Sequence, residues 1–199
     1  MSWNEFNKMQ QNSKFIKNII NHNRNNSFNY IEDSYFNHVR DLTALTIALC
    51  ASSKNETVKV LDFGSNITTW VNIQNKIKTQ NLQVYIYDPF DEIERVIYPE
   101  FEFSITKFNH TKHLLLDTFD IIQYGSVAQY DENFFDVIND FTTAAKYNLF
   151  THTPITSGEE FSDIQPKHNF DRFYHSFRKI IDFMTLKKFE LIFKSQLPI

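Results

Sequence analysis

The sequence predicts an α/β fold in which a mostly parallel sheet carries helices on both faces. Three observations support this prediction. Short β-branched strand patterns alternate along the chain with longer helical patterns. Apolar residues make up 42% of the 199 residues, enough for one sizeable core. Two of the three glycines follow directly after predicted strands, at the edge where such sheets bind ligands.

The predicted elements follow one another without repeats or a linker. Residues 1–33 are polar and rich in asparagine, and we interpret them as an N-terminal arm that precedes a domain over 34–199. The spacing of apolar residues behind a cap predicts a helix over 34–51. Further helices are predicted over 67–79, 131–145 and 176–186. Strands are predicted over 58–63, 82–87, 101–105, 119–124, 147–150 and 189–193, and a loop is predicted over 156–169.

Composition excludes several classes of function. The net charge of −4 provides no basic face for nucleic acid. A single cysteine, Cys50, cannot form an internal disulfide and is best explained as a small core residue of a cytoplasmic protein. Neither a signal peptide nor a run long enough to span a membrane is visible, so we expect no membrane partner. The histidine spacing predicts no metal site, and a homo-oligomer remains open.

Gly64 and Asp88 are the strongest candidates for ligand binding. Gly64 follows a strand that ends in Asp62-Phe63, and a strand, an acid, a glycine turn and a helix are typical of a ligand-binding βα loop. Asp88 ends the next strand, where a carboxylate can accept both hydroxyls of a ribose. Structural alternatives remain open: ordinary tight turns at Gly64 and Gly125, and an N-cap or Asx-turn at Asp88.

These motifs together resemble class I S-adenosylmethionine-dependent methyltransferases. The chain is most similar to a family of methyltransferases found in bacterial surface-polysaccharide gene neighbourhoods. The resemblance covers about residues 34–195 and rests on Leu-Asp-Phe-Gly at 61–64, Asp88, Ser-Val-Ala-Gln-Tyr at 126–130, and Thr-Pro at 153–154 with Gly158. It implies a Rossmann-like class I methyltransferase sandwich.

The resemblance also implies roles for single residues. Residues expected to bind S-adenosyl-L-methionine are Asp62, Gly64, Ser65, Asn66, Asp88, Phe90, Gly125 and Ser126. Gln129 and Tyr130 would bind the acceptor, and Tyr130 is also a catalytic candidate. His152 is the best-placed candidate base, although a solvated loop histidine is the favoured alternative. Tyr130 could instead staple the following helix to the sheet. Arg172 could offer a charge to an anionic substrate, but a surface ion pair is the favoured interpretation.

The resemblance therefore predicts an enzyme, a methyltransferase that acts on a small-molecule or sugar-type acceptor in polysaccharide biosynthesis. The alternative is a non-catalytic, degenerate Rossmann-like binding or assembly module. Two departures support that alternative: residues 65–68 stand where the family has further glycines, and the last antiparallel strand of the fold has no clear counterpart. An NAD-binding or nucleotide-sugar enzyme would need Gly-x-Gly-x-x-Gly, which the sequence lacks.

Overall fold

Five parallel strands form the central sheet of the computed structural model, which describes residues 34–52, 57–63, 70, 73, 82–87, 104–108, 118–125, 127–165 and 170–194. The strands are β1 (Val58–Phe63), β2 (Leu82–Tyr87), β3 (Ser104–Phe108), β4 (Phe119–Gly125) and β5 (Ala145–Thr151). Their order is β3-β2-β1-β4-β5, and every neighbouring pair is parallel. The order reverses between β1 and β4, which creates the switch point at which open α/β sheets bind ligands.

Helices cover both faces of this sheet. On one face, α1 (Ser34–Ser52) and the helical residues Trp70 and Ile73 pack against alternate residues of β1, β2 and β4. On the other face, α2 (Phe134–Ile138) and α3 (Phe177–Leu186) cover an aromatic layer centred on Phe63. The fold is therefore an α/β fold with a parallel sheet, and its strand order is compatible with the Rossmann-like class. None of the helices described here is long and apolar enough to cross a membrane.

A second, small sheet follows the central one in the chain. It contains β6 (Ile155–Thr156), β7 (Phe161–Gln165) and β8 (Phe170–Ser176) in the order β6-β8-β7. β8 pairs with β6 in parallel and with β7 in antiparallel orientation. This sheet contains no strand of the central sheet, and β8 packs against the 3-10 turn Ala128–Tyr130 that follows β4. It therefore lies near the carboxyl edge of the central sheet.

Most predicted elements of the central sheet are confirmed. β1 and β2 have the predicted bounds, and β4 and α1 each extend one residue further than predicted. β5 begins two residues earlier and ends one residue later, whereas β3 lies three residues further along than predicted. α3 begins at Phe177 behind Ser176, whose side chain accepts a hydrogen bond from Lys179 N at 3.0 Å, so the helix predicted over 176–186 is confirmed. The proposed N-terminal arm lies outside the described residues.

The long helix predicted over 131–145 is wrong. Only α2 is α-helical; a 3-10 turn follows at Thr142–Ala144, and Ala145 already belongs to β5. Asp131 stands at the start of the predicted helix, but its Oδ1 accepts from Asn133 N at 2.8 Å and forms a local turn instead of a helix cap. The Thr142 hydroxyl donates to Ile138 O at 2.7 Å, where a side chain competes with the helical backbone.

The loop predicted over 156–169 is wrong in part, because Thr156 and the residues Phe161–Gln165 belong to strands of the small sheet. Phe161 and Asp163 face Tyr174 and Arg172 across the strand pair. The Phe161 and Tyr174 rings stack at 4.4 Å, and Arg172 donates to both oxygens of Asp163 at 3.0 and 2.7 Å. Such cross-strand pairs stabilise antiparallel strands, but they become visible only once the pairing is known.

The strand predicted over 189–193 is wrong as well. Lys188 has a left-handed backbone with φ of 67°, and Phe189 N donates to Met184 O at 2.9 Å, which ends α3 in a turn. Residues 189–194 have no regular structure, and Leu191, Ile192 and Phe193 are exposed. The apolar residues of this segment therefore predict a strand that the described structure does not contain.

Candidate functional site at the carboxyl edge of the sheet

Four residues lie near one another at the carboxyl ends of β1, β4 and β5. Two of them, Asp62 and Gly125, are candidates from the sequence, and the other two are Gln123 and Thr151. β4 lies between the other two strands, and Gly125 is the register partner of Thr151. Asp62 lies one residue before the end of β1, opposite Gln123 of β4. Because parallel strands end at a common edge, these residues lie close together at the switch point of the sheet.

Asp62 is completely buried at this edge. Its Oδ2 accepts a hydrogen bond from Trp70 Nε1, and Trp70 is itself completely buried on the helical segment after β1. A buried carboxylate is stable only when hydrogen-bonded or paired, and the indole provides one such bond. The bond fixes the orientation of the carboxylate, and Oδ1 faces the space beside Gly125.

Gly125 leaves room for a side chain that the chain does not place there. A Cβ atom at this position would lie 3.4 Å from Gln123 Nε2, 3.5 Å from Thr151 Oγ1 and 4.0 Å from Asp62 Oδ1. These distances are close to ordinary contacts, and the backbone of Gly125 is not in the left-handed region that favours glycine. Neither backbone conformation nor protein packing therefore explains the glycine, and close approach of a ligand remains as an explanation.

Gln123 and Thr151 complete the polar lining of this space. Gln123 is 3% exposed, and its Oε1 accepts from Thr43 Oγ1 of α1 at 2.7 Å. This bond turns the amide Nε2 towards Gly125. Thr151 is 4% exposed, and within the described part of the chain its buried Oγ1 has no hydrogen-bond partner. We call Asp62, Gln123, Gly125 and Thr151 the polar cradle.

The 3-10 turn after β4 carries the two predicted acceptor residues. Gln129 is buried and Tyr130 is half-buried. The turn is held by His175 of β8, whose Nε2 lies 2.8 Å from Ala128 O. Because a carbonyl oxygen can only accept, this nitrogen donates. The small sheet thus fixes the position of the predicted acceptor residues relative to the central sheet.

His175 also connects this turn to the charged end of the small sheet. Its Nδ1 lies 3.5 Å from Glu160 Oε1, and Glu160 accepts from Lys179 Nζ at 2.9 Å. Partial burial opposes ionisation of Glu160, yet the hydrogen bonds from Lys179 and Ser176 N and the charges of Lys179 and His175 hold its pKa below the ordinary value. The carboxylate therefore stays ionised next to the histidine.

His152 lies directly after β5, next to the polar cradle. It is half-buried, and its backbone has φ of 53°, a left-handed conformation that is uncommon for residues other than glycine. Such conformations occur where surrounding structure enforces them, frequently at functional sites. The structure places the candidate base at the carboxyl edge of the sheet, while its role remains a prediction.

Tyr124 precedes Gly125 but points to the opposite face of the sheet. Its hydroxyl donates to Asn148 Oδ1 at 3.2 Å and lies 3.3 Å from Thr142 Oγ1. Complete burial raises the pKa of Tyr124 far above its ordinary value, and the hydrogen bond with Thr142 only partly opposes this shift. The phenol therefore stays protonated and stabilises the core.

Of the other predicted site residues, six lie outside the described residues. They are Gly64, Ser65, Asn66, Asp88, Phe90 and Ser126. Arg172 forms the ion pair with Asp163 described above, so the interpretation as an ion pair is confirmed. In the described ranges, no group of three or more His, Cys, Asp and Glu residues could hold a metal ion.

The sequence interpretation missed Gln123, Thr151, Trp70 and His175. A signal existed for Gln123, because it is a polar residue inside a strand that is buried on both faces. Thr151 carried no such signal, since its place beside Gly125 depends on the register between β4 and β5. His175 became visible only when β8 was seen to pack on the turn after β4.

Fold and site together define an α/β protein with a buried polar cradle at the switch point of a parallel sheet, and its strand order is compatible with the Rossmann-like class. Comparison of the sequence with models of protein families and with curated proteins found no match.

Proposed function

We propose that this protein is an S-adenosylmethionine-dependent methyltransferase that acts on a small-molecule or sugar-type acceptor in the cytoplasm. The proposal includes the finer fold assignment, a class I methyltransferase sandwich. The observation that carries it is Gly125, where the chain uses one of its three glycines although alanine would fit. The space it leaves is lined by polar groups at the ligand-binding edge of the sheet.

The residues of the cradle fit the polar end of such a ligand. Asp62 offers a buried, oriented carboxylate oxygen, and Gln123 offers an amide nitrogen next to it. In the sequence, Gly64 and Asp88 add a glycine turn and a carboxylate suited to a ribose. S-adenosylmethionine would supply an activated methyl group at this edge.

Methyl transfer is chiefly a positioning problem, because the nucleophile must approach the methyl group in line. Gln129 and Tyr130 lie on a turn that His175 fixes, so they can orient a polar acceptor. His152 can accept the proton of an acceptor hydroxyl at its imidazole nitrogen. In this proposal, the protein orients the acceptor through Gln129 and Tyr130 and takes up one proton from the acceptor hydroxyl at His152.

Calorimetric titration with S-adenosylhomocysteine tests the proposal. Thermal melting is a second test, because a ligand that binds only the native state raises the melting temperature. Asp88→Ala should weaken binding by about 1.5–3 kcal/mol, the scale of a lost charge-assisted hydrogen bond. Asp136→Ala, which removes an exposed carboxylate of α2, is the matched control and should bind as wild type does.

Three outcomes would contradict the proposal or one of its parts. Absence of binding at millimolar ligand would remove the methyltransferase assignment. Equal binding by Asp88→Ala and wild type would remove the ribose role of Asp88 and favour an Asx-turn. Binding without methyl transfer to any acceptor would instead favour the non-catalytic module, which residues 65–68 support because they replace glycines of the family.

A further inference from the structure

Thr151 is the residue of the polar cradle whose hydroxyl makes no hydrogen bond within the described part of the chain. Its hydroxyl oxygen is inaccessible to solvent, and the residue is 4% exposed. Across the described ranges, Oγ1 has no hydrogen-bond partner. A buried hydroxyl without a hydrogen bond costs about 1–3 kcal/mol, so a valine of the same shape would stabilise the free protein.

The hydroxyl faces the space that Gly125 leaves. A Cβ at position 125 would lie 3.5 Å from Thr151 Oγ1, and the same point is 4.0 Å from Asp62 Oδ1. Two oxygen acceptors, from the strands on either side of β4, therefore border one small volume. One of them belongs to the carboxyl group of Asp62, and a bound cation would favour its ionised form, so a compact cation with several N–H donors fits this volume best.

Within the ligand of the proposed function, only one group has that chemistry. The α-ammonium group of the methionine part carries a positive charge and three N–H donors, whereas the adenosine part offers no cationic donor. The adjacent amide of Gln123, oriented by Thr43, can donate to the α-carboxylate of the same part. The cradle is thus suited to both charged groups of an α-amino acid.

We propose that Thr151 is a cofactor-binding residue that accepts a hydrogen bond from the α-ammonium group of the methionine part, together with Asp62. This inference rests on the proposed function, because it assigns a position within the same ligand. It also explains why a buried polar side chain is kept at the end of β5, where an apolar residue would stabilise the free protein.

The test compares two variants with two ligands. Thr151→Val removes the hydroxyl and keeps the shape, and Thr151→Ser restores a hydroxyl. S-adenosylhomocysteine contains the amino-acid part, and 5′-methylthioadenosine lacks it. Thr151→Val should weaken binding of S-adenosylhomocysteine about ten-fold and leave binding of 5′-methylthioadenosine unchanged. Thr151→Ser should bind both ligands within about three-fold of wild type.

The melting temperature without ligand tests independently whether the Thr151 hydroxyl stabilises the free protein. Thr151→Val should melt at the wild-type temperature or above it, because no structural hydrogen bond is lost. Thr153→Val is the matched control: its half-buried hydroxyl donates to Thr151 O at 3.3 Å, and its removal should change neither ligand affinity.

The outcomes separate this inference from the proposed function. If wild type binds S-adenosylhomocysteine and Thr151→Val binds it equally well, the inference is overturned while the proposed function stands. Equal weakening for both ligands would overturn the assignment to the amino-acid part. A lowered melting temperature of Thr151→Val with unchanged affinity would show that the hydroxyl is structural. If wild type binds neither ligand, both proposals fail.

Discussion

Gly125→Ala should separate ligand binding from stability, because the two effects have opposite signs. The new methyl group would lie 3.4 Å from Gln123 Nε2 and 3.5 Å from Thr151 Oγ1, which the fold can accommodate. The backbone at Gly125 is not left-handed, so alanine introduces no conformational strain. Replacement of glycine at a compatible position stabilises by about 0.4–1 kcal/mol, chiefly by restricting the unfolded chain.

The same methyl group should obstruct the ligand. It would fill the space that Asp62 and Thr151 border, and forcing an extra methyl group into a filled space costs about 1–3 kcal/mol. At 1.4 kcal/mol per factor of ten, the dissociation constant for S-adenosylhomocysteine should rise by roughly 5- to 150-fold. The free protein should keep its free energy of unfolding or gain slightly.

Urea unfolding without ligand and calorimetric titration with S-adenosylhomocysteine measure the two quantities. Gly158→Ala is the matched control, because Gly158 is exposed and a Cβ there would meet only Thr156 Oγ1, at 3.7 Å. It should leave binding unchanged. If Gly125→Ala binds the ligand as tightly as wild type, or if it unfolds the free protein, ligand approach is not the reason for this glycine.

Three further predictions concern the surroundings of the site. Thr43→Val should lower the free energy of unfolding by about 1–3 kcal/mol in urea, because it leaves the buried Oε1 of Gln123 without its donor. Tyr130→Phe should leave melting temperature and cofactor affinity nearly unchanged and lower methyl transfer from a radiolabelled donor by roughly ten-fold or more. Since the pKa of Glu160 is lower in the folded protein, its ionisation stabilises the fold above the ordinary glutamate value of 4.5. This contribution should be lost as the pH falls below that value through the folded pKa, and Glu160→Gln should flatten that part of a melting-temperature profile.

Each of these predictions has a clear contrary result. Unchanged stability of Thr43→Val would show that Gln123 finds another donor. A large loss of stability in Tyr130→Phe would assign the hydroxyl a structural role as the staple of α2. Identical pH profiles for wild type and Glu160→Gln would show that the contacts of Glu160 with Lys179 and His175 contribute nothing measurable to folding, as is common for partly exposed pairs.

Much of the central sheet follows from local sequence. β1 and β2 could be predicted residue for residue, because a strand buried on both faces reads as a nearly continuous apolar run. α3 could be predicted because Ser176 caps an amphipathic segment. Two site residues, Asp62 and Gly125, were found in the same way, since a polar residue or a glycine stands out at the end of an apolar strand.

Local sequence patterns could not predict the small sheet or the length of α2. Phe161 and Asp163 gain their partners only when β7 pairs with β8, so the isolated segment resembles a polar loop. The region after Asp131 has a helical spacing of apolar residues, yet Thr142 bonds back to Ile138 O and the chain turns into β5. Tertiary pairing overrode the local pattern in both cases.

By itself, the sequence determined that strands and helices alternate and that Asp62 and Gly125 stand at strand ends. Only the tertiary structure decided that β4 lies between β1 and β5, in a register that sets Gly125 beside Thr151 and Asp62 beside Gln123. Strand order and register depend on contacts between residues far apart in the chain. No local propensity encodes them, so the polar cradle became visible only in the folded protein.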